Sequence, residues 1–246
     1  MKSIVMKFIY IILFSFAGHL LFSSCTKDAD IVKQVPISSV TVVNAIVNSS
    51  PIIVNFTNAD SVASYFSSAA LVSYAGFFEY SVPSGNIPVS IYPLADTTHP
   101  LFKGTILLKR QSIYSFFLVG INNAQNKPDT VIIEDHIPYH PSIDSTIGIR
   151  FINLSPNSNP ISVNIMGGMN NTEVSNLPYK DFTDFKLYPA TTNTTQYIFE
   201  IRDASSSNLL ITFTCPVSPF QNATIVVDGV NAGGSNSLGA FIVNNY

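Results

Sequence analysis

From about residue 38 onward the chain is a succession of short apolar runs broken by turn residues. Tyr197, Phe199 and Ile201 alternate with Ile198, Glu200 and Arg202, the period-two pattern of a strand with one face inward. Val, Ile, Phe, Tyr and Thr fill the runs, and Pro, Gly, Asn and Ser punctuate them, which favours an all-β chain. The pattern predicts strands near 77–82, 87–94, 102–109, 113–120 and 129–135. A second set is predicted near 182–188, 196–202, 208–215, 222–229 and 238–244. Two opening strands joined by a Pro/Asn/Ser turn, then a polar loop, precede each set.

The two sets are copies of one unit. Val40 to Phe56 aligns without gaps to Ile149 to Ile165, and seven of the 17 positions are identical, among them Asn44/Asn153, Ser49/Ser158 and Pro51/Pro160. Tyr74, Phe77, Tyr80 and Val82 match the spacing of Tyr179, Phe182, Phe185 and Leu187. About seven short strands in each stretch of about 100 residues predict two tandem immunoglobulin-like β-sandwich domains. The chain has no Trp and no Cys pair to spare, which excludes an antibody-type domain. The expected organisation is a signal peptide (1–24), a tether (25–37), a first sandwich (38–136), a linker (137–146) and a second sandwich (147–246). Each sandwich has its own set of strands, the condition for folding alone. Pro88 inside a strand is expected at a sheet edge, because it has no N–H to donate. Pro138 and Pro141 should make the linker short and stiff.

The N-terminus has a different grammar. Met1 to Lys7 carries two lysines and no acid, Phe8 to Ala17 is mostly apolar, and Ser23-Ser24 precede Cys25. That is a secretory signal peptide; its uninterrupted apolar run is about half the roughly 20 residues a membrane span needs. Leu21-Phe22-Ser23-Ser24-Cys25 resembles the lipobox of lipoprotein signal peptidase, with Phe22 where Leu is usual. Cys25 is therefore expected to be the lipidated N-terminus of the mature chain and its link to the membrane. Lys27, Asp28 and Asp30 beyond it resemble the signal that sends such lipoproteins to the cell surface, so the expected location is the outer membrane, facing outward.

Composition narrows the function classes. Charged residues are 11% and the hydrophobic set 46%, far from a disordered chain. Removal of Lys2 and Lys7 takes the formal charge from −3 to −5, and Lys109-Arg110 is the densest basic pair, so no nucleic-acid partner is expected. With Cys25 acylated, Cys215 has no disulfide partner and reads as a packed strand residue. His136 and His140 stand four apart, but Pro138 between them rules against a zinc-binding helix, and an exposed linker is expected there. Asp181 and Asp184 flank Phe182 in a polar turn and read as surface acids. No nucleophile elbow or phosphate loop is present, and no catalytic residue, metal or cofactor is expected.

The opening Ile149-Arg150-Phe151-Ile152-Asn153-Leu154-Ser155-Pro156-Asn157 resembles the signature of the domain of unknown function 4397, common in Bacteroidetes-type lipoproteins and often in tandem. Val131-Ile132-Ile133-Glu134-Asp135 resembles the end of a preceding copy. In the first copy Asn44-Ala45-Ile46-Val47 replaces the signature Asn-Leu-Ser-Pro. The resemblance implies fold and location and brings no activity. The functional expectation is a lipid-anchored, non-enzymatic envelope protein, a surface structural or adhesive module. The alternative is a carbohydrate-binding lipoprotein of a glycan-uptake system, with Tyr139, Tyr179 and Tyr188 as candidate contacts for a glycan or protein partner. Ser61, Thr97, Thr130 and Ser145 follow aspartates in tripeptides resembling an O-glycosylation motif of Bacteroidetes-type periplasms.

Overall fold

The computed structural model describes residues 35–57, 70–123, 128–231 and 236–245. The signal peptide, Cys25, the acidic stretch after it and Ser61 lie outside the described residues. Residues 36–246 form one compact unit. Its regular structure, among the described residues, is entirely strand.

The first half contains β1 (Ile37–Val47), β2 (Ile52–Asn55), β3 (Leu71–Val72), β4 (Gly76–Pro83), β5 (Gly85–Pro93), β6 (Phe102–Leu108), β7 (Ile113–Ile121) and β8 (Asp129–Glu134). The second contains β9 (Thr146–Asn153), β10 (Ile161–Ile165), β11 (Val174–Leu177), β12 (Lys186–Pro189), β13 (Gln196–Asp203), β14 (Leu209–Pro216), β15 (Gln221–Asp228) and β16 (Gly239–Asn244). Sheets β4-β1-β7-β8 and β3-β2-β5-β6 make one sandwich, and β12-β9-β15-β16 and β11-β10-β13-β14 make the other. The two halves are thus the same eight-strand unit, and β1 with β7, like β9 with β15, pair in parallel.

Two details differ from the pattern reading. Each copy has one more strand, β3 or β11, inside what reads as a polar loop. At two and four residues these are too short to show a period. Pro88 lies in β5, an inner strand. It is tolerated because β2 stops opposite Ser90, so no ladder on that side needs the missing N–H.

The repeated asparagines hold the same corner twice. Asn44 donates to the Val72 carbonyl (3.1 Å) while its Oδ1 accepts from the Ile46 N–H and the Ser49 hydroxyl. Asn153 donates to the Leu177 carbonyl (3.0 Å), and its Oδ1 accepts from the Ser155 N–H (3.1 Å). Both side chains are buried, and each satisfies backbone groups where the chain leaves one sheet for the other.

Each sandwich has its own core, around Phe116, Ile91 and Ile46 in the first and Phe151, Phe199 and Ile225 in the second. A third core lies between the sandwiches. Val43, Ala45, Phe117, Val119 and Ile133 point away from the first core and pack with Ile152, Leu154, Val226 and Val243. Sheet β4-β1-β7-β8 therefore packs its second face on sheet β12-β9-β15-β16, making four layers. The strands of this seam run in the same direction. Arg150, midway along β9, meets Ser115 near the start of β7, and the N–H of Asn48, just past β1, donates to Asn236 beyond β15.

At the starting end the seam turns polar. Arg150 Nη1 lies 2.7 Å from Asp135 Oδ1, its Nη2 donates to Ser115 Oγ (3.0 Å) and its Nε to Thr224 Oγ1 (2.8 Å). Ser115 and Thr224 donate onward to Asp135 Oδ2 (2.7 Å) and Asn245 Oδ1 (2.6 Å). The Phe185 ring covers the guanidinium at 4.7 Å. Burial is the largest influence on both charges: it pushes the Asp135 carboxyl up and the Arg150 guanidinium down, against their mutual attraction. Removing one partner of a buried pair strands the other charge. Asp135→Ala should cost about 3–5 kcal/mol in urea unfolding. Asp135→Leu with Arg150→Met should recover most of that loss. A single-substitution cost below about 1 kcal/mol, typical of a solvated pair, would show that the pair does not hold the seam.

Candidate functional site

Two charged residues that depart from the repeat stand at the seam. By strand register, Arg150 stands where the first copy has Thr41, and Asp228 stands where it has Val119. Both copies place a glycine with positive φ at the same point, Gly120 next to last in β7 and Gly229 just past β15. At Gly229 a Cβ would meet the Ser237 carbonyl oxygen at 2.4 Å, so the chain can pass there only as glycine.

Asp228 is 3% exposed, at the opposite end of the seam from Arg150. Among the described residues neither carboxylate oxygen has a hydrogen-bond partner of normal geometry; the Gly229 N–H and the hydroxyl of Tyr74, which comes from the first copy, are its polar neighbours. No cation acts on it among the described residues; Lys180, over the Tyr179 ring, is paired with Asp129. Burial lifts the Asp228 carboxyl to about 7, the Gly229 N–H and the Tyr74 hydroxyl opposing. Burial, with the Asp129 and Asp228 carboxylates, pushes Tyr179 to about 12, and burial with Asp228 raises Tyr74 further. The two tyrosines are repeat equivalents, and each faces the other copy's strand end, Tyr179 towards Gly120 and Tyr74 towards Asp228.

The linker is fastened to the second sandwich. Asn222 donates to the Pro138 carbonyl (3.2 Å), and its Oδ1 lies 3.1 Å from His140 Nε2. That side chain crosses Gly148 so closely that a Cβ there would lie 2.2 Å from Asn222 Oδ1. His140 Nδ1 faces Asp144 Oδ2 at 3.1 Å. The expectation of an exposed linker at the histidines is thus corrected at His140, whose side chain is buried in this knot; His136 is exposed. No cluster of metal-ligating side chains occurs among the described residues.

The candidate tyrosines do not come together. Tyr188 is buried in the second core with its hydroxyl donating to Glu173 Oε2 (2.6 Å), which removes it as a surface contact. Tyr179 is half-buried in the seam. Tyr139 alone projects from the linker, 87% exposed. Thr97 and Thr130 are half-buried and Ser145 is exposed, and the preceding aspartates are engaged, Asp96 by Thr98 and His99, Asp129 by Lys180, Asp144 by Thr146. Asp181 and Asp184 are exposed, and Cys215 is fully buried, its thiol pushed up to about 11 by burial. Sequence reasoning missed Asp135, Arg150 and Asp228 as seam residues. The signal was present, since two of them break the repeat by placing a charge where the other copy has Thr or Val.

Because the folded Asp228 carboxyl lies above its unfolded value of 3.8, the folded chain holds the proton more tightly, and stability falls as pH rises from about 4 through about 7. Asp228→Asn should flatten that fall and stabilise the protein by roughly 3 kcal/mol at about pH 8, with little effect at about pH 4. Urea unfolding at the two pH values reads it. An equal effect of the substitution at both would assign the titration to another group.

CBMbc, of family CBM26, from Eubacterium rectale Amy13K, solved with maltoheptaose, is 7% identical over 85% of this chain and 97% of that one, with a TM-score of 0.28. A family 41 carbohydrate-binding module from streptococcal virulence factors is 12% identical over 77% and 93%, with a TM-score of 0.25. A DUF3823 family protein from Bacteroides ovatus is 8% identical over 74% and 99%, with a TM-score of 0.20. No curated protein matches the chain in sequence. The domain of unknown function DUF4397 matches residues 38–164, the whole first sandwich and the opening strands of the second that carry Arg150 and Asn153. With more than half of its length in that match, the chain belongs to the DUF4397 family.

Proposed function

We propose that this protein is a lipid-anchored, non-enzymatic module of the outer membrane, displayed on the cell surface and acting as a structural or adhesive element. The observation that carries this reading is the seam. A shared apolar core and a buried ion pair join two sandwiches into one four-layer body, suited to holding its end loops in a fixed geometry. Polar side chains that could do chemistry are instead spent on structure: His140 in the linker knot, Glu173 under Tyr188, Asp203 capping the turn at Ser205 and Ser206. Glycan capture, the alternative, needs a platform of exposed rings. Of its three candidate tyrosines only Tyr139 is free to serve.

The anchor and the address are tested together. Cys25→Ala should leave an unprocessed precursor that takes up no labelled fatty acid, and normal labelling would end the lipoprotein reading. In the unaltered protein, protease added to intact cells should digest the sandwiches. Protection until the outer membrane is broken, unchanged by Lys27→Ala, Asp28→Ala and Asp30→Ala, would place the protein in the periplasm.

A further inference from the structure

The parallel alignment of the seam strands sorts the molecule into two ends. The starts of β1, β7, β9 and β15 share one end. The Ser84 N–H donates to the Pro36 carbonyl and the Gln111 N–H to the Ile37 carbonyl, which adds the β4–β5 turn and the loop between β6 and β7 to that end. The Phe220 N–H donates to the Thr146 carbonyl, and Asn222 ties down Pro138, which adds the linker and the β14–β15 loop. It is the end at which the chain enters from Cys25.

That end is also where exposed apolar surface gathers. The two most exposed large apolar side chains among the described residues, Ile143 at 92% and Tyr139 at 87%, both stand on the linker. Leu107 is 67% exposed beside the β6–β7 loop, Ile37 is 56% exposed at the start of β1, and Phe220 is also exposed. Lys109 and Arg110 lie among them, exposed. Toward the opposite end the exposed large apolar side chains, among them Leu71, Phe78, Phe182, Leu94 and Leu209, are each at least half covered, none above 49%. Nothing in the core accounts for the difference, because none of the first five belongs to any of the three cores.

We propose that this end is a membrane-resting face: Ile143, Tyr139, Leu107, Ile37 and Phe220 sit in the headgroup layer of the bilayer to which Cys25 is anchored. The inference rests on the anchoring reading. Two facts select a lipid surface as the occupant. Ten residues separate Cys25 from Pro36, so the tether can hold this end at most about 40 Å from the acyl chains. The composition, a Tyr, a Phe and aliphatic side chains beside Arg110 and the Glu134-paired Lys109, is that of groups that prefer the boundary between headgroups and acyl chains. On this reading the far end, with the Asn48 corner and the β15–β16 connection, is the one turned to the outside.

The test supplies the tether independently of acylation. The chain from Thr26 onward, which retains the compact unit, carries a hexahistidine tag at its start. It is held on vesicles of phosphatidylethanolamine and phosphatidylglycerol containing a nickel-chelating lipid. Buried Cys215 leaves an introduced thiol as the labelling site, so Ile143→Cys and, separately, Leu94→Cys carry a fluorescent probe. On vesicles the probe at 143 should be quenched by lipids brominated near the headgroup, and its quenching by iodide in the water should drop about threefold relative to the free protein, as for a group a few ångström into the interface. The probe at 94 should show neither change. Equal iodide access at both positions on vesicles overturns the proposal. So does protection at 143 without quenching by brominated lipid, or protection already present in solution, which would assign the face to a protein partner or a second copy. Because the tag replaces the acyl anchor, these outcomes stand apart from the Cys25→Ala labelling that judges the anchor itself.

Discussion

The Arg150 guanidinium carries its charge into a place closed to water, and the arrangement of the two sandwiches follows from the need to satisfy it. A lone buried charge is costly enough that the surrounding structure must provide counter-charge and hydrogen bonds. Asp135 and Ser115 from the first copy and Thr224 from the second do so, with Phe185 over the guanidinium plane. The partners sit on strands of different sandwiches, so the ion pair exists only when the seam is closed and the strands start together. Hydrophobic contact among Val43, Phe117, Ile152 and Val226 gives the seam its area but is indifferent to small slides. The ion pair fixes its register.

The seam is a nearly symmetric interface made asymmetric by a few substitutions. Thr41, Ser115 and Asp135 of the first copy correspond to Arg150, Thr224 and Asn245 of the second. Had both copies carried Arg, two guanidinium groups would face one another across a dry interface; had both carried Thr, no charge would single out one alignment. With Arg in one and the carboxylate in the other, the copies fit in this order. Asp228 is a second asymmetry at the other end. There a carboxylate replaces Val119 and meets no cation among the described residues, so protonation is the way the site avoids a buried charge.

The fold was legible because the repeat and the alternation of strands are local properties. Asn44 and Asn153, Pro51 and Pro160 announced two copies, and Tyr197 to Arg202 showed a strand with one buried face. The four-layer packing was present in the sequence in a less familiar form. Val42-Val43 with Ala45-Ile46-Val47, Phe116 to Val119 and Ile225 to Val227 are continuous apolar runs, as expected of strands covered on both faces. The seam residues were harder to see because partners such as Asp135 and Arg150, or Tyr74 and Asp228, meet only after folding. The tyrosines show the complementary failure: spacing cannot separate Tyr188, whose ring packs on Tyr197 and Phe199 in the core, from Tyr139, which stands in solvent.

If the seam makes one body of the two sandwiches, they should melt together. Scanning calorimetry of the chain from Thr26 to Tyr246 reads this directly. The account predicts one transition whose calorimetric and van't Hoff enthalpies agree. Two separable transitions, neither moved by Asp135→Ala, would show that the sandwiches are independent and that the seam is a contact without consequence.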